Sequence, residues 1–224
     1  MFERVARLTR YHRLALDCGT GSGQAALGLI EHYERVIAID PSSEQLSRAR
    51  THGRIEYLLA KAEDTALPDH SVDLVVSAQG LHWFDTRKFF LEAKRVLSSG
   101  GAIAIWGYGD PVLESDALNA ILHEFNRGLL EKYWFPERQL LLDGYRTVEF
   151  PFREVEMPRL VLEKRWTLEE LAGYIRSWSA VGRYSEAMRT DAVADLQNDL
   201  AAVWGEPQMP RLVQWPLHIR AGYP

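Results

Sequence analysis

Leu14-Ala15-Leu16-Asp17-Cys18-Gly19-Thr20-Gly21-Ser22-Gly23 is a short apolar run that ends in an aspartate and three alternating glycines. Such glycines let the backbone turn tightly and approach a ligand where any Cβ would collide. Gln24–His32 then carries a helical pattern, with Ala25, Ala26, Leu29 and Ile30 recurring on one face. The positive N-terminal end of that helix favours an anionic group. Strand, glycine turn and helix together read as a loop that holds a nucleotide-like ligand.

The pattern repeats outward from this loop. Val36–Asp40 is a second apolar run stopped by Pro41, and Ser42 or Ser43 is suited to cap a helix reaching about Arg50. Ile55–Leu59 and Val72–Ala78 are predicted strands. Lys88–Leu97 is a predicted helix ended by Ser98-Ser99-Gly100-Gly101, and Ala102–Trp106 is a strand that is apolar throughout. Strands apolar on both faces and separated by amphipathic helices indicate a parallel sheet covered on both sides, a doubly wound α/β architecture. After Gly109-Asp110-Pro111 the alternation stops. Ser115–Lys132, Leu168–Ala180 and Ser185–Trp204 read as helices, Val155–Trp166 as strand interrupted by Pro158, and Leu212–Ile219 as a last strand. The expectation is one domain over 1–224, with a ligand-binding half at 1–110, an elaboration at 111–165 and closing helices and strand at 166–224.

Composition narrows the function classes. With 46% hydrophobic and 25% charged residues over 224 positions, the chain has the make-up of a globular domain. A net charge of -5 argues against a general nucleic-acid binder, which needs a basic surface to displace counterions. A single cysteine, Cys18, fits a reducing compartment, Arg4, Arg7, Arg10 and Arg13 break up any signal-peptide core, and no apolar run approaches membrane-spanning length. The expected location is cytoplasmic, with no membrane partner.

Two cofactors compete for the loop. Gly21-Ser22-Gly23-Gln24-Ala25-Ala26 can be read as the G-x-G-x-x-G/A fingerprint of a dehydrogenase, which also expects an acid about 20 residues on. Asp40, 23 residues after Asp17, serves either reading, because both ligands present a ribose diol at the end of the second strand. Asp17 separates them. It complements the ammonium and sulfonium of S-adenosylmethionine and would sit awkwardly beside a pyrophosphate. A non-catalytic binding module of the same fold is the further alternative.

At this point the residues resemble the class I S-adenosylmethionine-dependent methyltransferases, specifically the type 11 group that includes trans-aconitate and cantharidin methyltransferases. Leu16-Asp17-Cys18-Gly19-Thr20-Gly21-Ser22-Gly23 is similar to the first motif of that family, and Ala38-Ile39-Asp40-Pro41-Ser42 to its second. Ala62-Glu63-Asp64 with Leu67-Pro68 resembles the adenine-side loop. Asp73–Gln79 followed by Leu81-His82-Trp83-Phe84-Asp85 resembles the fourth strand and its turn, the most group-specific piece. The resemblance implies a Rossmann-like sheet of seven strands, mostly parallel, with an antiparallel last strand. It implies cofactor contacts from Asp17, Gly19, Gly21, Gly23, Asp40, Pro41, Ala62, Glu63 and Gln79. Relatives carry a helical segment before the first strand that caps the substrate pocket, whereas about thirteen residues stand there in this sequence.

Methyl transfer is an in-line displacement at a sulfonium, so the protein mainly aligns the acceptor and excludes water. A base is needed only for an acceptor that is still protonated; a carboxylate, as in the aconitate relatives, needs none. His82, after the fourth strand, is the candidate base or acceptor-orienting group, and it also has a purely local hydrogen-bonding reading. Trp83 is a candidate stacking or pocket-wall residue, and Trp106 and Tyr108 are expected to face the cleft at the end of the fifth strand. The acceptor is expected to be a small molecule. If it is an organic acid, one or two of Arg138, Arg146, Arg153, Arg159 and Arg165 suit a bidentate clamp. The remaining histidines lack metal-ligand spacing, so no metal site is expected.

Overall fold

The computed structural model describes residues 1–224. The strands are β1 Leu14–Cys18, β2 Arg35–Asp40, β3 Ile55–Leu59, β4 Val72–Ala78, β5 Leu97–Tyr108, β6 Val112–Leu113, β7 Arg153–Val155, β8 Leu160–Trp166 and β9 Arg211–Tyr223. The helices are α1 Phe2–Ala6, α2 Gln24–Leu29, α3 Ser43–Ser47, α4 Thr86–Val96, α5 Asp116–His123, α6 Arg138–Leu142, α7 Leu168–Arg176, α8 Ser179–Met188 and α9 Ala192–Trp204. The chain forms two compact units, one of residues 1–108, 139–160 and 217–224, the other of 109–138 and 161–216. The elaboration read at 111–165 is thus divided between them.

The first unit is a seven-stranded sheet in the order β3-β2-β1-β4-β5-β9-β7. β1 to β5 are mutually parallel, and β9 runs antiparallel between β5 and β7. This is the mostly parallel, Rossmann-like α/β sheet expected from the sequence. Alternation along β5 shows why its strands are apolar throughout. Ile103 and Ile105 pack with Phe89, Phe90, Ala93 and Val96 of α4, whereas Ala102, Ala104 and Trp106 pack with Ala25, Ala26 and Leu29 of α2. Both faces are core, so neither has a place for polar residues. Asp73 ties together the amino ends of β1, β4 and β5, accepting from the Arg13 backbone and guanidinium, the Leu14 N–H and the Ser98 hydroxyl.

Local chemistry moved several boundaries. Asp85 caps α4 by accepting the Lys88 N–H at 3.2 Å, so the helix starts at Thr86, before the apolar periodicity begins. Ser98-Ser99-Gly100-Gly101 lies within β5, where the register shifts between Val72 and Leu74 of its neighbour, an irregularity that absorbs the glycines. The predicted helix 185–204 is two helices, broken at Arg189 in the left-handed conformation (φ +54°).

In the second unit, residues 211–216 of β9 pair antiparallel with β6, and β8 also pairs with β9. Helices α5, α7, α8 and α9 complete it, and Trp166, Tyr174, Trp178 and Trp215 form a continuous chain of ring contacts between 5.1 and 5.9 Å.

Candidate active site

Asp17 and Asp40 end adjacent parallel strands, placing two carboxylates at the carboxyl edge of the sheet where open α/β folds hold ligands. Between them Gly19, Gly21 and Gly23 take φ of +68°, +55° and +83°, the left-handed region that glycine enters without strain. Two of these glycines are also demanded by neighbours. A Cβ at Gly23 would collide with the Tyr57 hydroxyl, and one at Gly19 would press on the Phe84 ring.

Asp17 is fully buried. Its Oδ2 accepts the Thr20 hydroxyl at 2.6 Å, while Oδ1 is buried without a hydrogen-bond partner. Burial pushes its carboxyl up to about 6, opposed by the Thr20 hydroxyl and the nearby Ala26 backbone N–H and helped by the negative charge of Asp40. An unsatisfied, desolvated carboxylate oxygen at a ligand-holding loop is a site that a cation would stabilise. Asp40 accepts the Gly21 N–H through Oδ2 and the Ser42 N–H through Oδ1, each at 2.9 Å. Each oxygen retains a lone pair, so a ribose diol can still be accepted there. These residues fit the charge and shape of S-adenosylmethionine.

The loop after β3 is held from below. Ala62 is buried, and the Glu63 carboxylate accepts the Asp85 N–H at 2.8 Å, tying this loop to the turn after β4. Glu92 of α4 accepts both the Thr65 N–H and hydroxyl, at 2.8 and 2.6 Å, and pairs with Arg95. The Arg95 guanidinium pulls the Glu92 carboxyl down to about 2. Sequence reading did not find this brace, because Thr65 and Glu92 carry no local motif.

In the turn after β4, Leu81 is buried, Phe84 packs on Gly19 and Asp85 caps α4. The two remaining side chains, His82 and Trp83, are the ones the turn presents; Trp83 is 56% exposed and lies 5.0 Å from the His82 ring. His82 Nδ1 lies 3.2 Å from the hydroxyl of Tyr145, a residue the sequence reading missed.

Two candidate residues are engaged by the protein itself. The side-chain amide of Gln79, a candidate cofactor contact, donates to the Tyr108 carbonyl and accepts the Tyr108 N–H, at 3.1 and 3.2 Å. With its own N–H on the Trp106 carbonyl, Gln79 fastens β4 to β5 beyond the regular ladder. Trp106 was expected at the cleft, but it is 6% exposed and packs edge-on against Phe2 of α1, a core position. Tyr108 is half-buried at the end of β5.

The arginines separate similarly. Arg146 donates to the Asp143 carbonyl, and Arg153 lies over the Tyr223 ring. In the second unit Arg138 stacks on Trp134 at 3.8 Å and pairs with Asp110, which Arg127 also approaches at 3.6 Å. Among the residues described, no cluster of histidine, cysteine or carboxylate side chains could hold a metal ion, and no helix is long and apolar enough to cross a membrane.

Known proteins share the fold and much of the sequence. The Methyltransf_11 methyltransferase domain matches residues 16–105, which span the loop, both aspartates and the His82 turn. A protein of Dictyostelium discoideum named as a methyltransferase is 33% identical over 189 residues, covering 84% of this chain and 72% of its own length. One of Saccharomyces cerevisiae named as S-adenosylmethionine-dependent is 26% identical, covering 78% and 73%. The solved structure of a type II methyltransferase from Anaeromyxobacter dehalogenans is 42% identical, with a TM-score of 0.92 over 99% of this chain and 94% of that one. Fold alone would not decide the chemistry, since a [4+2]-cyclase superposes with a TM-score of 0.52 at 18% identity. Identity over most of both chains, together with the matched domain, does: the chain belongs to the S-adenosylmethionine-dependent methyltransferases, with a Methyltransf_11 domain over residues 16–105.

Proposed function

We propose that the chain methylates a small molecule carrying a carboxylate, in the manner of the type 11 group that includes the trans-aconitate and cantharidin methyltransferases. The observation that carries this reading is the turn after β4 in the first unit, which presents His82 with its Nδ1 engaged by the hydroxyl of the buried Tyr145. An imidazole held in this way is suited to orient an acceptor that needs no deprotonation, such as a carboxylate.

Bound S-adenosylmethionine supplies a methyl group on a sulfonium that is its own leaving group. The chain contributes placement. Asp17 matches the ligand's positive charge, Asp40 accepts the ribose hydroxyls, and the residues from Ala62 to Thr65 line the base side. His82, at the carboxyl end of β4, orients the acceptor. A carboxylate acceptor is already nucleophilic, so His82 need not remove a proton.

The test is a panel of mono-, di- and tricarboxylates, with neutral and cationic analogues, incubated with S-adenosylmethionine and followed by mass spectrometry. Carboxylates are expected to gain one methyl group as S-adenosylhomocysteine forms. His82→Gln is expected to lower kcat/KM on them by about tenfold or more with S-adenosylhomocysteine affinity unchanged. Turnover confined to neutral or cationic acceptors would contradict the proposal.

A further inference from the structure

Tyr145 is fully buried, and its hydroxyl is paired with His82 Nδ1 at 3.2 Å, the two rings lying 17° from parallel. The position is built from several directions. At the end of α6 the Gly144 N–H donates to the Leu141 carbonyl and the Tyr145 N–H to the Leu140 carbonyl, the bond pattern of a Schellman motif. Gly144 takes the left-handed conformation such a motif asks for, φ +64°, but Tyr145 takes it too, at φ +58°, where a side chain is strained. Arg220 holds the strained residue in place. Its guanidinium donates to the carbonyls of Tyr145 and Val148, at 2.8 and 2.7 Å, while pairing with Glu154. Gly107 of β5 leaves the room, since a Cβ there would collide with Leu141 and crowd the Gln79 amide and the Tyr145 hydroxyl. Gln79, on the same turn as His82, is likewise left-handed at φ +56°. Two strained residues therefore converge beside the imidazole at the carboxyl ends of β4 and β5, and strain of this kind concentrates at functional sites.

We propose that Tyr145 is a positioning residue for methyl transfer, its phenol donating to His82 Nδ1 and so setting both the direction of the ring and the nitrogen that carries its proton. The proposal rests on the reading of His82 as the acceptor-orienting group. Burial pushes the Tyr145 phenol up, so the hydroxyl keeps its proton at every pH of interest. A buried hydroxyl proton needs an acceptor, and the Nδ1 lone pair of a neutral imidazole provides one. The neutral ring then carries its proton on Nε2. The sequence separation of 63 residues explains why no local pattern announces the pair.

Nitrogen-15 NMR of protein labelled at histidine tests this without any acceptor, His82 being assigned from the resonance lost in His82→Gln. At about pH 8, above the ordinary imidazole range, wild-type protein is expected to show His82 with its proton on Nε2. Tyr145→Phe keeps the ring packing, and is expected to shift the tautomer ratio toward Nδ1–H by about fivefold or more. Should Tyr145→Phe fail to fold, biosynthetic 3-fluorotyrosine, a more acidic donor, is expected to move the same Nδ1 resonance. An unchanged tautomer in Tyr145→Phe, or an unmoved resonance with fluorotyrosine, would overturn the assignment of Tyr145. With the best carboxylate of the panel, Tyr145→Phe is expected to lower kcat about tenfold while leaving calorimetric S-adenosylhomocysteine affinity intact, and to add nothing to His82→Gln. Wild-type kcat in Tyr145→Phe alongside a reduced kcat in His82→Gln would overturn the positioning role. Wild-type kcat in His82→Gln would overturn the reading of His82, and the proposal with it.

Discussion

Replacing Asp17 by asparagine should make the protein more stable and a poorer binder at once. In the folded chain the Asp17 carboxyl is raised from 3.8 to about 6, chiefly by burial. Between those values the folded protein holds a proton that the unfolded chain releases, so stability falls as pH rises through this window. Above it, the ionised carboxylate costs about 3 kcal/mol of folding free energy. Asparagine removes the charge and still accepts the Thr20 hydroxyl, but its amide N–H group takes the place of the unpaired Oδ1, at about 1–2 kcal/mol. The net expectation is a gain of about 1–2 kcal/mol at pH 7, turning into a loss of similar size at pH 4, where wild-type Asp17 is already protonated. Binding moves oppositely: losing a charge-assisted contact to the ligand's cation should weaken S-adenosylhomocysteine about 10- to 100-fold at pH 7. In wild-type protein the dissociation constant should rise about tenfold for each pH unit below 6, because the ligand selects the ionised form. Urea denaturation at the two pH values and calorimetry measure these effects. An Asp17→Asn variant whose stability difference from wild type does not change with pH would refute the reasoning.

Asp40→Ala should weaken S-adenosylhomocysteine binding by about 2–3 kcal/mol, whereas His82→Ala should change it by less than about 0.5 kcal/mol; comparable losses by calorimetry would contradict the assigned roles. Glu92→Gln should lower stability by about 1–2 kcal/mol at pH 7 and loosen the loop around Thr65. Because the Glu92 carboxyl is lowered from 4.5 to about 2, its contribution is present above pH 4.5 and lost as pH falls toward 2, so variant and wild-type denaturation curves should converge in acid. Gly23→Ala should cost at least about 1–2 kcal/mol from its left-handed backbone alone, and Tyr57→Ala should relieve only the part due to the collision with Tyr57, readable in the denaturation midpoints of the single and double variants.

The parallel half of the sheet was legible because each strand is buried on both faces and each turn carries its own punctuation: β3 and β4 fall where the apolar runs place them. The glycine turn after β1 was legible for a related reason, since its left-handed positions at Gly19, Gly21 and Gly23 are set by local residue type. Side chains set by distant partners were not. Trp106 was misplaced because position on a strand end does not say which face a side chain takes, and Phe2 of α1 covers that face. The bonds of the Gln79 amide to Tyr108 of β5 cross 29 positions and leave no local trace in the sequence. Tyr145 had one readable signal, the glycine before it, which marks a helix end but not what the following residue reaches. The Arg127–Asp110–Arg138 group depends on residues brought together from 28 positions apart, and Arg138 could not be singled out from its neighbouring arginines.

Calorimetric titration of the purified protein with S-adenosylhomocysteine tests the central claim most directly. Saturable one-to-one binding at pH 7, weakened by about 2–3 kcal/mol on Asp40→Ala and weakened below pH 6, is the predicted result. No binding at about millimolar ligand, a free energy weaker than about 4 kcal/mol, would contradict the assignment of the Asp17–Gly23 loop.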